Sequence, residues 1–256
     1  MPDNTDDGQS NFDDIENYDE EIPIHVAEYL NKIKTGKSIA ALHQFFKGQH
    51  NYFAVDASQK VLGIDLGCGT GEHIDSMESQ ADFVAMDGLD FSRKQLMHAM
   101  NKKRGNQYYQ ASMSAIPVKA NHYDFACAIN SIHHLPSLES QQQTFDEVYR
   151  VLKPGGVFII HEINTINPII KFYMKYVFPR IRNIDDGSEI WLSPKLVKQS
   201  KFELSKTDYF TFLPDFTPKF LMGFAVFMDR LFSRSVLSIF GAHVMYVLTK
   251  TAAKNE

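Results

Sequence analysis

The chain has 256 residues, 44% hydrophobic and 22% charged. This is ordinary globular composition for one domain of moderate size, so wholesale disorder and collagen-like repeats are excluded. The formal charge is −5, but nine acids among residues 1–21, with no Lys or Arg between them, leave 26 basic against 22 acidic residues in the body.

Residues 1–20 are polar and like-charged, the pattern of a solvated arm. From Ile22 to about Phe53 the pattern turns helical. Val26, Leu30 and Ile33 are spaced four and three apart, and Ile39, Leu42, Phe45 and Phe46 form a second apolar cluster. Lys60–Leu66 is a short apolar run closed by glycines, hence a buried strand, and Asp82–Met86 and Asn106–Gln110 read as two more. Between these, Phe91–Arg104 sets Leu96, Ala99 and Met100 at helical spacing and ends in three cations that suit a helix C-terminus. Tyr123–Ile129 is a further strand. Glu139–Leu152 keeps Phe145, Val148, Tyr149 and Leu152 on one face until Lys153-Pro154-Gly155-Gly156 stops the helix, and Val157–Ile160 follows as a strand. Trp191–Gln199 reads as a short helix, Phe202–Phe212 as a strand, Thr217–Arg234 as a long aromatic helix and His243–Lys250 as a last strand. Strands alternating with helices imply right-handed crossovers and a doubly wound α/β fold with helices on both faces.

Two cysteines, Cys68 and Cys127, cannot frame several disulfides, and there is no CxxC pair. The acidic N-terminus lacks the apolar core of a secretory signal. The longest uncharged stretch, Ser235–Thr249, falls short of the ~20 residues of a spanning helix. A reducing, cytoplasmic location is expected, with peripheral contact to a membrane left open.

The sharpest local feature is Asp65-Leu66-Gly67-Cys68-Gly69-Thr70-Gly71, where a buried strand ends in three alternating glycines before a helix. Glycine accepts positive φ and lets a ligand touch backbone, while the helix start offers free N–H groups. The GxGxG spacing differs from the GxGxxG of dinucleotide binders, and no GK[ST] follows. A nicotinamide-dependent oxidoreductase is therefore the weaker alternative.

Four further motifs follow in order. They are Gly88-Leu89-Asp90-Phe91-Ser92, Ala115-Ile116-Pro117, Asn130-Ser131-Ile132-His133-His134-Leu135 and Val151-Leu152-Lys153-Pro154-Gly155-Gly156. Together with the glycine loop they cover residues 60–162, and in this order the chain resembles the class I S-adenosylmethionine-dependent methyltransferases of the ubiquinone/menaquinone- and lipid-modifying type. The resemblance implies a Rossmann-like doubly wound sheet of about seven strands, mostly parallel with an antiparallel closing strand, plus helical cover segments. It divides the chain into an acidic arm (1–20), a helical lid (21–58), a cofactor-binding core (59–163) and a C-terminal part (164–256) that completes the sheet and covers the acceptor.

By the same resemblance S-adenosyl-L-methionine is the cofactor. Asp65 with the backbone of Gly67, Cys68, Gly69 and Gly71 would hold its methionine part. Asp90 would take the ribose hydroxyls, with Asp87 as competitor; they stand 19 and 16 positions after Gly71, either side of the interval usual in the family. Where relatives carry an acid beside the adenine this chain has Ser112, so adenine recognition would lean on the Met113 backbone. Asn130 follows the fourth strand and would contact cofactor or acceptor. Tyr18 is a lid contact or an exposed residue of the arm.

Methyl transfer from a sulfonium asks mainly for alignment and exclusion of water, and for a base only where the acceptor must lose a proton. The candidates are His133, His134 and Glu162, each with a purely structural alternative, and His161 beside them. No cluster has the spacing of a metal site. Pro168–Arg182 and Thr217–Arg234 interleave aromatics with cations, which suits either plain packing over the site or a lipid-facing surface. A body only slightly basic makes nucleic acid a poor acceptor. The expected acceptor is a small molecule or lipid, methylated at O, C or N; a protein that binds the cofactor without catalysis is the rival from another class.

Overall fold

The computed structural model describes residues 23–47, 60–102, 105–177, 190–213 and 217–251. The acidic arm with Tyr18, residues 48–59, and Arg180 and Arg182 lie outside the described residues. In chain order the elements are α1 (Ile24–Lys47), β1 (Val61–Leu66), α2 (Glu72–Gln80), β2 (Val84–Asp90), α3 (Arg93–Asn101) and β3 (Tyr108–Gln110). There follow β4 (Tyr123–Ile129), a 3₁₀ turn (Ile132–His134), α4 (Leu138–Val151), β5 (Leu152–Ile163) and α5 (Pro168–Phe172) with a π turn (Tyr173–Val177). The last are α6 (Pro194–Gln199), β6 (Glu203–Phe210), α7 (Met222–Ser233), a 3₁₀ turn (Val236–Phe240) and β7 (His243–Thr249).

The strands form one seven-stranded sheet in the order β3-β2-β1-β4-β5-β7-β6. β1 to β5 pair in parallel, whereas β7 runs antiparallel to both its neighbours, β5 and β6. This is the doubly wound α/β sheet that the alternating pattern predicts, with the antiparallel closing strand that the family resemblance implies. Alternate side chains along each strand feed opposite layers. Ile64, Leu66, Ala126, Ala128, Phe158 and Ile160 meet Phe145, Val148 and Val151 of α4 on one face. Val84, Met86, Phe125, Cys127, Val157 and Ile159 meet Leu42 and Phe46 of α1, Ile74 and Met77 of α2 and Leu96 of α3 on the other. Gly63 is glycine for lack of room: a Cβ there would lie 2.2 Å from the Phe125 ring.

Local chemistry sets the helix starts. Ser92 accepts from the Gln95 amide at the head of α3, and Ser137 accepts from the Ser140 amide at the head of α4. Three sequence expectations shift. The two apolar clusters of the N-terminal segment belong to one helix, α1, because no proline interrupts it and Gly36 has open space around it. Lys153-Pro154-Gly155-Gly156 does not separate helix from strand; it lies inside β5, which begins directly at Leu152 and is irregular between the Tyr123 and Phe125 pairings. The aromatic helix begins at Met222, since Pro218 sets off a 3₁₀ turn over Lys219–Leu221 first.

Candidate functional site

Loops leaving the carboxyl ends of β1, β2 and β4 converge on one edge of the sheet, the usual ligand crevice of open α/β folds. After β1 the three glycines adopt positive φ: 75° at Gly67, 51° at Gly69 and 79° at Gly71. Two of them are hemmed in. A Cβ on Gly67 would lie 2.6 Å from the Ser131 Cβ and 3.5 Å from the Met113 methyl, and one on Gly71 would touch Ala99. A Cβ on Gly69 would meet nothing within 4 Å. The loop therefore presents open space at Gly69, and Gly71 ends it as the N-cap residue of α2 without a side-chain cap.

Asp65 sits at the root of this loop. It is buried, and its Oδ1 has no hydrogen-bond partner among the described residues. Burial, and secondarily the charge of Asp90, push its carboxyl up to about 8. An orphaned carboxylate oxygen of this kind is costly alone and is relieved by a cationic or N–H-donating ligand. Asp90 crosses from the end of β2 to the same loop: its Oδ2 accepts from the Gly69 amide and its Oδ1 from the Ser92 amide, both at 2.8 Å. Burial raises the Asp90 carboxyl, and bonds from the Gly69, Ser92 and Phe91 amides hold the rise in check. Asp87 points elsewhere, its oxygens taken by the Tyr123 hydroxyl at 2.9 Å and the Gln107 amide at 3.0 Å. Cys68 is buried against Gly88, and burial, then Asp65 and Asp90, raise its thiol well above the usual range, so it stays protonated.

The turn after β3 brings Ser112 and Met113 to the crevice by different routes. The Ser112 hydroxyl pairs with that of Ser114 at 2.7 Å and accepts the Ser114 amide, so it is engaged locally, while the Met113 methyl reaches Gly67. After β4, Asn130 is left-handed (φ 51°), and its buried Oδ1 has no partner among the described residues. Ser131 next to it donates to the Leu66 carbonyl at 2.7 Å, which locks the β4 loop onto the end of β1.

His133 and His134 separate as adjacent residues of a turn must. His133 is buried and its Nδ1 lies 2.6 Å from the Glu162 carboxylate, whose other oxygen accepts from the Ile132 amide. His134 is half-buried, and burial with its neighbour His133 pushes it down to about 3. Glu162 thus anchors the turn. His161, one residue earlier, faces the opposite layer, where its Nε2 lies 3.0 Å from the Ser38 hydroxyl of α1 and burial drives its value far down.

Sequence reasoning missed Trp191, whose ring stacks on His133 at 5.2 Å and 26°. The signal was its being the sole tryptophan of the chain. It also missed Ser131, which looked like one more loop serine. Among the described residues no group of three or more His, Cys, Asp or Glu could hold a metal ion.

The residues fit a cationic nucleoside with an amino-acid tail: an orphaned carboxylate beside open backbone, a second carboxylate one loop away, and an orphaned amide oxygen opposite. A family model described as a methyltransferase domain matches residues 64–160. The demethylmenaquinone methyltransferase of Lactobacillus johnsonii is 30% identical over 179 residues, 63% of this chain and 69% of that protein. Sterol methyltransferase-like 3 of Botryococcus braunii is 30% identical over 115 residues, 44% of this chain and 29% of its own. The first curated relatives matched are spanned over only 27% to 56% of their length. Among solved structures, an S-adenosylmethionine-dependent methyltransferase from Mesorhizobium loti superposes with a TM-score of 0.54 at 15% identity, over 76% of this chain and 93% of that one. At that identity the likeness is one of fold.

Proposed function

We propose that this chain, which belongs to the class I S-adenosylmethionine-dependent methyltransferase family, transfers a methyl group to a small, hydrophobic or lipid-like acceptor. The observation that carries the reading is the partnerless oxygen of buried Asp65 beside the open backbone at Gly69. When bound, S-adenosylmethionine supplies a methyl already activated on a sulfonium. Asp65 would receive the ammonium of its amino-acid tail, and the Gly67–Gly71 backbone would help hold the methionine part. Asp90, already tied to Gly69, would accept from the ribose hydroxyls. Ser112 has its hydroxyl committed to Ser114, so the adenine side of the pocket rests on Met113 and its neighbours.

On the acceptor side Glu162 orients His133. A proton on Nδ1 donated to the carboxylate leaves Nε2 as the basic nitrogen, the arrangement of a general base where the acceptor needs one. His134, held neutral down to about pH 3, is too weak a base for that task. The hydrophobic character of the acceptor draws support from the names of the relatives, a demethylmenaquinone methyltransferase and a sterol methyltransferase-like protein.

Titration calorimetry with S-adenosylmethionine and its demethylated product tests the pocket. The parent should bind both and Gly69→Arg neither, because an arginine there fills the open side of the loop. Deuterated-methyl cofactor in a cell extract, followed by mass spectrometry, then identifies the acceptor. A pocket that binds while labelling nothing would favour the rival, a cofactor-binding protein without catalysis, for which the locally engaged Ser112 is the one supporting observation.

A further inference from the structure

The aromatic stripe of 217–240 is not packed. Val236 is 92% exposed, Phe220 84% and Ile169 of α5 69%, with Phe172, Phe224 and Phe227 each exposed by 60% or more. The two segments that carry these side chains are bonded to each other. The Asn164 amide donates to the Ile239 and Gly241 carbonyls at 2.8 Å each, and the Asn167 amide to that of Phe240 at 2.5 Å, which stitches α5 to the turn after α7. Monomeric soluble proteins rarely leave so many large apolar side chains uncovered on neighbouring segments.

Charge identifies the cover. Lys171, Lys175, Lys219, Arg230 and Arg234 are exposed around the patch. Among the described residues of 164–177 and 217–240 the only acid is Asp229, which is buried beneath α7. We infer that this plateau docks the protein onto an anionic lipid bilayer, its aromatic side chains entering the interface and its cations meeting the headgroups. A two-fold dimer through the same face would bring two basic rims together, which like-charge repulsion opposes. Among the described residues no helix is long and apolar enough to cross a membrane, so the contact is a surface one.

Topology aims the plateau. β5 ends at Ile163, which pairs with His243 at the start of β7, and Phe210 at the end of β6 pairs with the same residue. The segments that carry the plateau thus leave the sheet at the edge that holds the glycine loop, Asn130 and His133. Docking places that edge toward the bilayer. The contact itself stands whether or not methyl transfer is the reaction.

Flotation of the full chain with vesicles of phosphatidylcholine alone, and with phosphatidylglycerol added, tests it. The parent should partition at least about tenfold more strongly onto the anionic vesicles, since each cation near such a surface counts roughly fivefold, and raised salt should weaken the difference. The double substitution Phe224→Asp and Phe227→Asp, at exposed positions, should leave the circular dichroism unchanged and lower partitioning by more than about tenfold. If that variant misfolds, the lipid-charge and salt dependence of the parent decides alone. The inference is overturned if the parent stays in solution with both vesicles, partitions equally onto them, or floats as well after the double substitution. It is overturned equally if the lipid-free parent sediments as a dimer that the double substitution dissolves, since the patch is then a self-association face.

Discussion

Asp65 concentrates the electrostatics of the site. Its folded carboxyl titrates near 8, while an unfolded aspartate titrates near 4. Between these values the folded state holds a proton that the unfolded state has lost, so stability on this account falls as pH rises from about 4 to about 8 and then levels off. Asp65→Asn cannot ionise and should remove the slope. Without ligand, its melting temperature should gain on the parent by more at about pH 8 than at about pH 5; an equal gain at both would show that the titration is not felt. A cationic ligand favours the ionised carboxylate instead. Affinity of the parent for S-adenosylmethionine should therefore climb from about pH 6 to about pH 8, and the Asn variant should bind weakly and without that climb. Asp90 and Asp87 offer a sharper contrast. Asp90→Ala should weaken cofactor binding by more than about tenfold, the order expected for a lost bond to a charged group. Asp87→Ala should chiefly cost stability, because it removes the bonds of the Tyr123 hydroxyl and the Gln107 amide to its carboxylate. Calorimetry and denaturant titration separate the two, and the opposite order would give Asp87 the ribose.

Helix α7 cannot be held by its outer face, which is bare. Asp229 holds it from beneath, accepting from the Tyr29 hydroxyl of α1 and the Phe212 amide at 2.7 Å each, and from Ser233 at 3.2 Å. Asp229→Ala should destabilise the fold by roughly 2–3 kcal/mol, since it leaves buried donors unpaired; a loss below about 0.5 kcal/mol by urea titration would contradict this linkage. How far such elements can be read beforehand depends on what fixes them. β1, β4 and the run of motifs were legible because local rules write them: apolar strands, glycines where φ must be positive, and a serine at a helix start. Asp90 could be preferred to Asp87 from its flanking residues, and it is Asp90 that accepts from the Gly69 amide. The Glu162–His133 contact could not be read, because it joins residues 29 positions apart in different elements. Nor could the bareness of Phe220 and Phe224. Their helical spacing is that of a packed stripe, and only the tertiary arrangement shows that nothing among the described residues lies on them.

At the level of the complete molecule, one edge of one sheet collects the glycine loop, the carboxylates, the histidine turn and the basic apolar plateau. An acceptor dissolved in lipid would meet the crevice without crossing bulk water, which suits the water exclusion that alignment-driven transfer needs. The same sheet has an awkward order of assembly. β7 lies between β5 and β6 and pairs with both, yet it is translated after them. Until His243–Thr249 leave the ribosome, β5 carries a raw outer edge and β6 has no neighbour at all among the sheet's strands. Such edges recruit other chains. A message cut between Ile163 and His243 would yield a product that carries the first five strands but whose open flank would invite aggregation or proteolysis.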